Sequence, residues 1–114
     1  MNTPAIVIAA YNRPSGLKRL LDSVVSAKYA SGNISLVISI DKSDTGEVYS
    51  LADSFEWKHG EKKVIKHVEH LGLKEHIFRC GDLTNQFDSI ILLEDDLIVS
   101  PFFYKYAVES VKYY

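Results

Sequence analysis

The chain has 114 residues, 46% of them hydrophobic and 25% charged, with a formal net charge of −2. This allows one domain, residues 1–114, and a charge so near zero gives no electrostatic case for nucleic acid or an anionic membrane. No apolar run reaches the ~20 residues of a membrane span and the N-terminus lacks a secretory pattern, so a cytoplasmic setting is expected. Cys80 is the only cysteine, which excludes an internal disulfide, and its neighbours Ile77, Phe78 and Leu83 point to buried packing.

Ala5 to Ala10 is an apolar run without alternation, the pattern of a central strand buried on both faces. It ends at Tyr11-Asn12-Arg13-Pro14, where Pro14 suits a first helical turn with Asn12 or Arg13 near the cap. Leu17, Leu20, Leu21, Val24 and Val25 then mark one helical face. Ser31-Gly32-Asn33 punctuates, Ile34 to Ile40 reads as a second strand, and Asp44 with Glu47 resembles a capping box opening a second helix. Val64 to His70 alternates loosely, as expected of a more exposed strand near a sheet edge. Gly72 precedes a helix predicted from about Leu73 to Gln86, with Leu73, Ile77, Cys80 and Leu83 or Thr84 facing inward.

The next stretch, Ile90 to Val99, is a greasy run interrupted by Glu94-Asp95-Asp96. Four consecutive apolar residues predict a buried parallel strand, and three adjacent carboxylates repel unless a cation or hydrogen-bond donors compensate. Oxygen ligands alone suit magnesium, manganese or calcium rather than zinc or copper. A short β-like stretch follows the carboxylates, and Ser100-Pro101 caps a last helix carrying Phe103, Tyr106, Ala107, Ser110 and Val111 on one side. For the tyrosines at 104, 106, 113 and 114, face packing or exposed aromatic surface is expected rather than sugar stacking.

Strands and helices alternate, which predicts an α/β fold: a Rossmann-like, mostly parallel sheet with helices on both faces. Ligands of such sheets bind beyond the carboxyl ends of the strands. The rim so defined holds Tyr11 to Arg13, Asp41 to Asp44, His70 to Gly72 and Glu94 to Asp96. The first loop has neither a dinucleotide glycine fingerprint nor a P-loop, so anions would be held through a metal at the acidic triple with Arg13 assisting. A metal for diphosphate, an aromatic face for a base and carboxylates for hydroxyls or a base N–H describe a nucleoside-diphosphate site.

Ala5 to Val25, AIVIAAYNRPSGLKRLLDSVV, resembles the opening of inverting family 2-type glycosyltransferases with the GT-A fold. The Glu94-Asp95-Asp96 triple with the following LIVSPFF is similar to the acidic motif of N-acetylglucosaminyltransferases of N-glycan and O-mannosyl glycan synthesis. The resemblance implies a UDP-sugar donor and a Mn2+ or Mg2+ ion bound directly by Asp96, with Glu94 and Asp95 on sugar and ribose hydroxyls. It further implies that Tyr11 and Ala9 line the uracil site, that Arg13 contacts the nucleotide, that Asp41 accepts from the uracil ring N–H, and that His76 belongs to the same pocket. A helical histidine such as His76 is otherwise expected to be a partly exposed surface group, and His67 and His70 receive no role.

In inverting transfer a carboxylate deprotonates the acceptor hydroxyl. In GT-A enzymes that base and the acceptor site lie well beyond the acidic motif. The resemblance therefore implies that residues 1–114 are the N-terminal, donor-binding part of a transferase domain, with no catalytic base before Tyr114 and a sugar or glycan acceptor served by the remainder. Glu75, Asp82 and Asp88 are poor substitutes because they sit on or after a helix. An exposed sheet edge or the last helix is expected to favour a homodimer. The competing readings are a nucleotide-sugar-binding module without chemistry, and a phosphoacceptor signalling domain, which would want acids where Ala10-Tyr11-Asn12 stands.

Overall fold

A computed structural model describes residues 3–29, 32–87 and 89–111, with the side chains of 110 and 111 left aside. Ser31, Asp88, Tyr113 and Tyr114, and the inward side chains expected at Ser110 and Val111, thus lie outside the described residues. The elements in order are β1 (Ala5–Ala10), α1 (Pro14–Ser26), β2 (Leu36–Ile40), α2 (Gly46–Ser54), β3 (Lys62–Lys66), α3 (Leu73–Gly81), a 3-10 turn (Asp82–Asn85), β4 (Ile90–Glu94) and α4 (Phe103–Val111). The four strands form one fully parallel sheet in the order β3-β2-β1-β4.

Chain direction explains which face each helix covers. β1, β2 and β3 step one way across the sheet and β4 returns to the far side of β1, so crossovers of one hand put α3 on the face opposite α1 and α2. The core divides accordingly. Ile6, Ile8 and Ala10 pack with Leu17, Leu20, Leu21 and Val24 of α1, Val48 and Ala52 of α2 and Tyr104 of α4. Val7, Ala9 and Val37 face Cys80 and Leu83 on the other side. This is why β1 shows no alternation: all six of its residues are buried. Cys80 is buried as expected, and burial pushes its thiol pKa up, against the opposing effect of Ser39.

Several boundaries differ from the sequence expectation, each for a local reason. β2 begins at Leu36 rather than Ile34, because the Ile34 carbonyl accepts the Trp57 indole N–H at 2.7 Å and its N–H bonds to His59. β3 spans Lys62–Lys66 instead of Val64 to His70: pairing follows β2, whose Ile40 lies opposite Lys66, and after the bond from His67 N–H to the Ile40 carbonyl the chain leaves the sheet. Thr45, not Asp44, caps α2, its hydroxyl accepting from the Glu47 N–H. Arg13 occupies the cap position of α1 without a side-chain bond, with Pro14 opening the helix.

α3 stops at Gly81 and tightens into the 3-10 turn instead of running on to Gln86. Its inward residues are His76 and Cys80, followed by Leu83, while Leu73 and Phe78 are exposed. After Glu94 the chain makes a turn, with Leu97 N–H bonded to the Glu94 carbonyl, and residues 97–100 form no strand. α4 begins at Phe103, not directly after Pro101, and it buries Tyr104 while Tyr106 is exposed. Tyr104 donates to the Pro4 carbonyl at 2.7 Å, joining the last helix to the start of β1. The sheet edges that could pair with a second chain are β3, which carries three lysines, and β4. Among the described residues no helix is long and apolar enough to cross a membrane.

Candidate functional site

Strand order reverses at β1: its neighbours are β2 on one side and the last strand, β4, on the other. In a doubly wound sheet that reversal opens a crevice at the carboxyl ends, because the loops leaving the adjacent strands turn to opposite faces. Pairing sets the level of the rim. Ala9 lies opposite Glu94 and Ala10 opposite Ile40, so Tyr11 and Asp41 leave the sheet level with each other and Asp95 one residue below them. The resulting open cleft, about 530 Å³, is lined by Ala9, Tyr11, Arg13, Asp41, His76, Glu94, Asp95 and Asp96, all eight residues singled out from the sequence. Ala10, Asn12, His70, Gly72 and Leu73 complete it.

Asp41 is the most constrained of these groups. It is 2% exposed, and its carboxylate accepts from the Lys42 N–H at 2.8 Å and the Leu71 N–H at 2.7 Å on Oδ1, and from the Gly72 N–H at 3.0 Å on Oδ2. His70 Nδ1 stands 3.2 Å from Oδ2. Burial acts to raise its pKa, but the three backbone donors and His70 outweigh burial and hold it below the ordinary carboxylate value. Gly72 has a φ of +82°, a conformation that side chains resist, and with it the chain turns from this cradle into α3.

Across the crevice, the Tyr11 N–H donates to Asp95 Oδ2 at 3.0 Å, tying the loop after β1 to the acidic turn after β4. Burial raises the Asp95 pKa, aided by the Asp96 charge and opposed by the Tyr11 N–H and Arg13. Gly16 in the first turn of α1 lets the turn approach: a Cβ there would meet the Asp95 carbonyl oxygen at 2.5 Å. Glu94 and Asp96 are exposed, and Arg13 lies 4.0 Å from Asp96 in a solvated pair. Among the described residues, no three His, Cys, Asp or Glu side chains converge as a ready-made metal cage.

His76 departs from the surface position expected of it. It is 3% exposed and lies 2.9 Å from Ser39 Oγ, which also lies 3.0 Å from His67 Nε2. A hydroxyl has one proton to give, so at least one of the two rings donates to it. Burial lowers the His76 pKa, with His67 acting in the same direction and Asp41 and Ser39 opposing, which keeps the imidazole neutral at pH 7. His70 is the residue that role assignment from the sequence missed. Its ring lies 5.1 Å from that of Tyr11 and its nitrogen beside Asp41. Its place on the rim after the third strand was the available signal.

The whole architecture has close counterparts among solved structures. S. aureus TarS 1-349 superposes with a TM-score of 0.75 at 16% identity, over 96% of this chain and 32% of that one. Its complexes with UDP and with UDP-GlcNAc give TM-scores of 0.72 and 0.71 at 15% and 13% identity, again over 96% of this chain, and 32% and 31% of theirs. At such identities the likeness shows the fold, and the chain spans about a third of the length of these matches. No curated protein sequence matches. A family model described as "Glycosyltransferase like family 2" matches residues 3–113, and the chain belongs to that family.

Proposed function

We propose that this chain is the donor-binding part of an inverting glycosyltransferase that uses a UDP-sugar and a divalent cation. The observation that carries the reading is the convergence of an aromatic ring, a cradled carboxylate and an acidic turn on one cleft where the strand order reverses. Membership of glycosyltransferase-like family 2 and the fold shared with a protein crystallised with UDP and UDP-GlcNAc support the same class of donor.

In this reading Tyr11 and Ala9 bound the base site, Asp41 accepts from the base ring N–H, and neutral His76 supports the same wall. Arg13, 4.0 Å from Asp96 and exposed, is free to exchange that partner for a diphosphate oxygen. Glu94 and Asp95 serve ribose and sugar hydroxyls. The donor set fits a hard cation such as Mn2+ or Mg2+, because the acidic turn offers only oxygens and leaves Asp96 exposed. Such an ion typically takes one or two carboxylates and completes its shell with phosphate oxygens and water. When bound, the cation supplies neutralisation of the departing diphosphate.

We assign the general base to none of the four carboxylates of the cleft: Asp41 and Asp95 are tied to backbone N–H groups, and Glu94 and Asp96 have donor-side tasks. The acceptor, a sugar or glycan, is the business of residues other than these. Calorimetric titration with UDP, with and without Mn2+, tests the assignment. Metal-dependent binding by the wild type that Asp96→Ala abolishes is the expected result. Binding that ignores both the metal and the substitution overturns the role of Asp96.

A further inference from the structure

We propose that His70 is a displaceable plug in the base subsite, a residue that sets how tightly the cleft takes a flat ring with an N–H donor. The inference rests on the donor-site reading above and concerns a side chain to which that reading gives no part.

A carboxylate offers about four acceptor positions. On Asp41, Oδ1 receives two backbone N–H groups, and Oδ2 receives the Gly72 N–H and has His70 Nδ1 3.2 Å away. The imidazole thus stands within ion-pair distance of the oxygen that has a single backbone donor. An incoming ring N–H would have to bind at Oδ2, and it meets the imidazole there. Three of the four groups around the carboxylate are main-chain N–H groups, that of Lys42 next in sequence and those of Leu71 and Gly72 in the turn before α3, and they cannot leave without rebuilding the backbone. The fourth is a side chain with 56% of its surface exposed, and a χ1 rotation removes it. The same ring lies against Tyr11, at 5.1 Å between centroids and 39° between planes, on the aromatic surface a base would use. One histidine thus covers both the acceptor and the stacking face, and a ligand that needs both must displace it.

The cost of displacing one such contact is of the size of a single hydrogen bond, so freeing the subsite should tighten binding by about threefold to tenfold. The test compares wild type, His70→Ala and His70→Asn by calorimetric titration with uridine and with UDP plus Mn2+, each variant first matched to wild type by circular dichroism. Asparagine keeps a donor at the Nδ1 position and therefore keeps the plug on Asp41 while removing the ring. The expected result is tighter binding of both probes by His70→Ala, with His70→Asn closer to wild type. If wild type binds UDP and His70→Ala binds it equally or more weakly, the plug is refuted and the donor site stands. If neither protein binds UDP or uridine, the donor-site reading falls and takes the plug with it.

Discussion

Replacing Asp41 by Asn isolates the charge at the centre of the cleft, because the two side chains have nearly the same shape. An amide can meet the cradle in two orientations. With its oxygen at the Oδ1 position it keeps the Lys42 and Leu71 N–H bonds but turns an NH2 toward the Gly72 N–H and His70 Nδ1, and the flipped orientation is worse. At minimum one buried charge-assisted bond becomes a donor facing a donor, and two others lose their charge. Bonds to charged groups contribute about 1.5–3 kcal/mol each and an unsatisfied buried donor costs about 1–3 kcal/mol, so a net loss of about 2–3 kcal/mol is expected at pH 7. In a domain of this size that lowers Tm by about 8–12 °C. The pH dependence supplies the sharper criterion. The folded-state pKa of Asp41 lies below its ordinary value of 3.8, so its stabilisation is complete well above that value and disappears as pH falls through the lower folded pKa. Urea unfolding followed by circular dichroism from pH 7 to pH 3 should therefore show wild type and Asp41→Asn converging as the solution is acidified. A gap that is constant with pH, or absent at pH 7, would refute the cradle.

Two further substitutions separate the site from its support. Gly16→Ala should cost about 1–2 kcal/mol in chemical unfolding despite alanine's better helix propensity, because the new methyl meets backbone at Asp95, and it should weaken UDP binding severalfold. A stabilised Gly16→Ala protein would show that the acidic turn does not rest on α1. Tyr104→Phe should cost about 1 kcal/mol by leaving the Pro4 carbonyl without its donor, and should leave UDP affinity unchanged because Pro4 lies at the opposite end of β1 from the cleft.

β1 was legible because it has no polar residues to alternate and all six of its residues are buried, whereas β4, with the same apolar run, is an edge strand in which only Leu93 is fully buried. Knowing that strands end at a common rim then placed Tyr11, Asp41 and the acidic triple together without any side-chain information. The limits of β3 were not legible, since the loose alternation from Val64 to His70 continues past the point where β2 stops offering partners, and register depends on the neighbour rather than on the strand itself. The inward face of α3 was misjudged for a related reason. Ile77, Cys80 and Leu83 do pack inward, but Leu73 is exposed and His76 is buried against Ser39, a polar contact on the neighbouring strand that hydrophobic spacing does not register.

The same distinction bears on the acidic triple, where spacing alone does not tell the surroundings of its three carboxylates apart. Asp95 is spent on the Tyr11 N–H and half-buried, which leaves it raised in pKa and serving as a tie across the crevice. That tie fixes the turn, and a fixed turn is what allows Asp96, exposed and held only by a loose pair with Arg13, to meet a ligand without first being ordered. Preorganisation of this kind costs stability, because a partly buried carboxylate beside another negative charge favours the protonated form. The sign follows: the folded-state pKa of Asp95 is raised, so its ionisation in the folded protein opposes folding as pH rises above its ordinary value of 3.8. Asp95 therefore holds the turn in place through the Tyr11 N–H at the expense of stability near neutral pH.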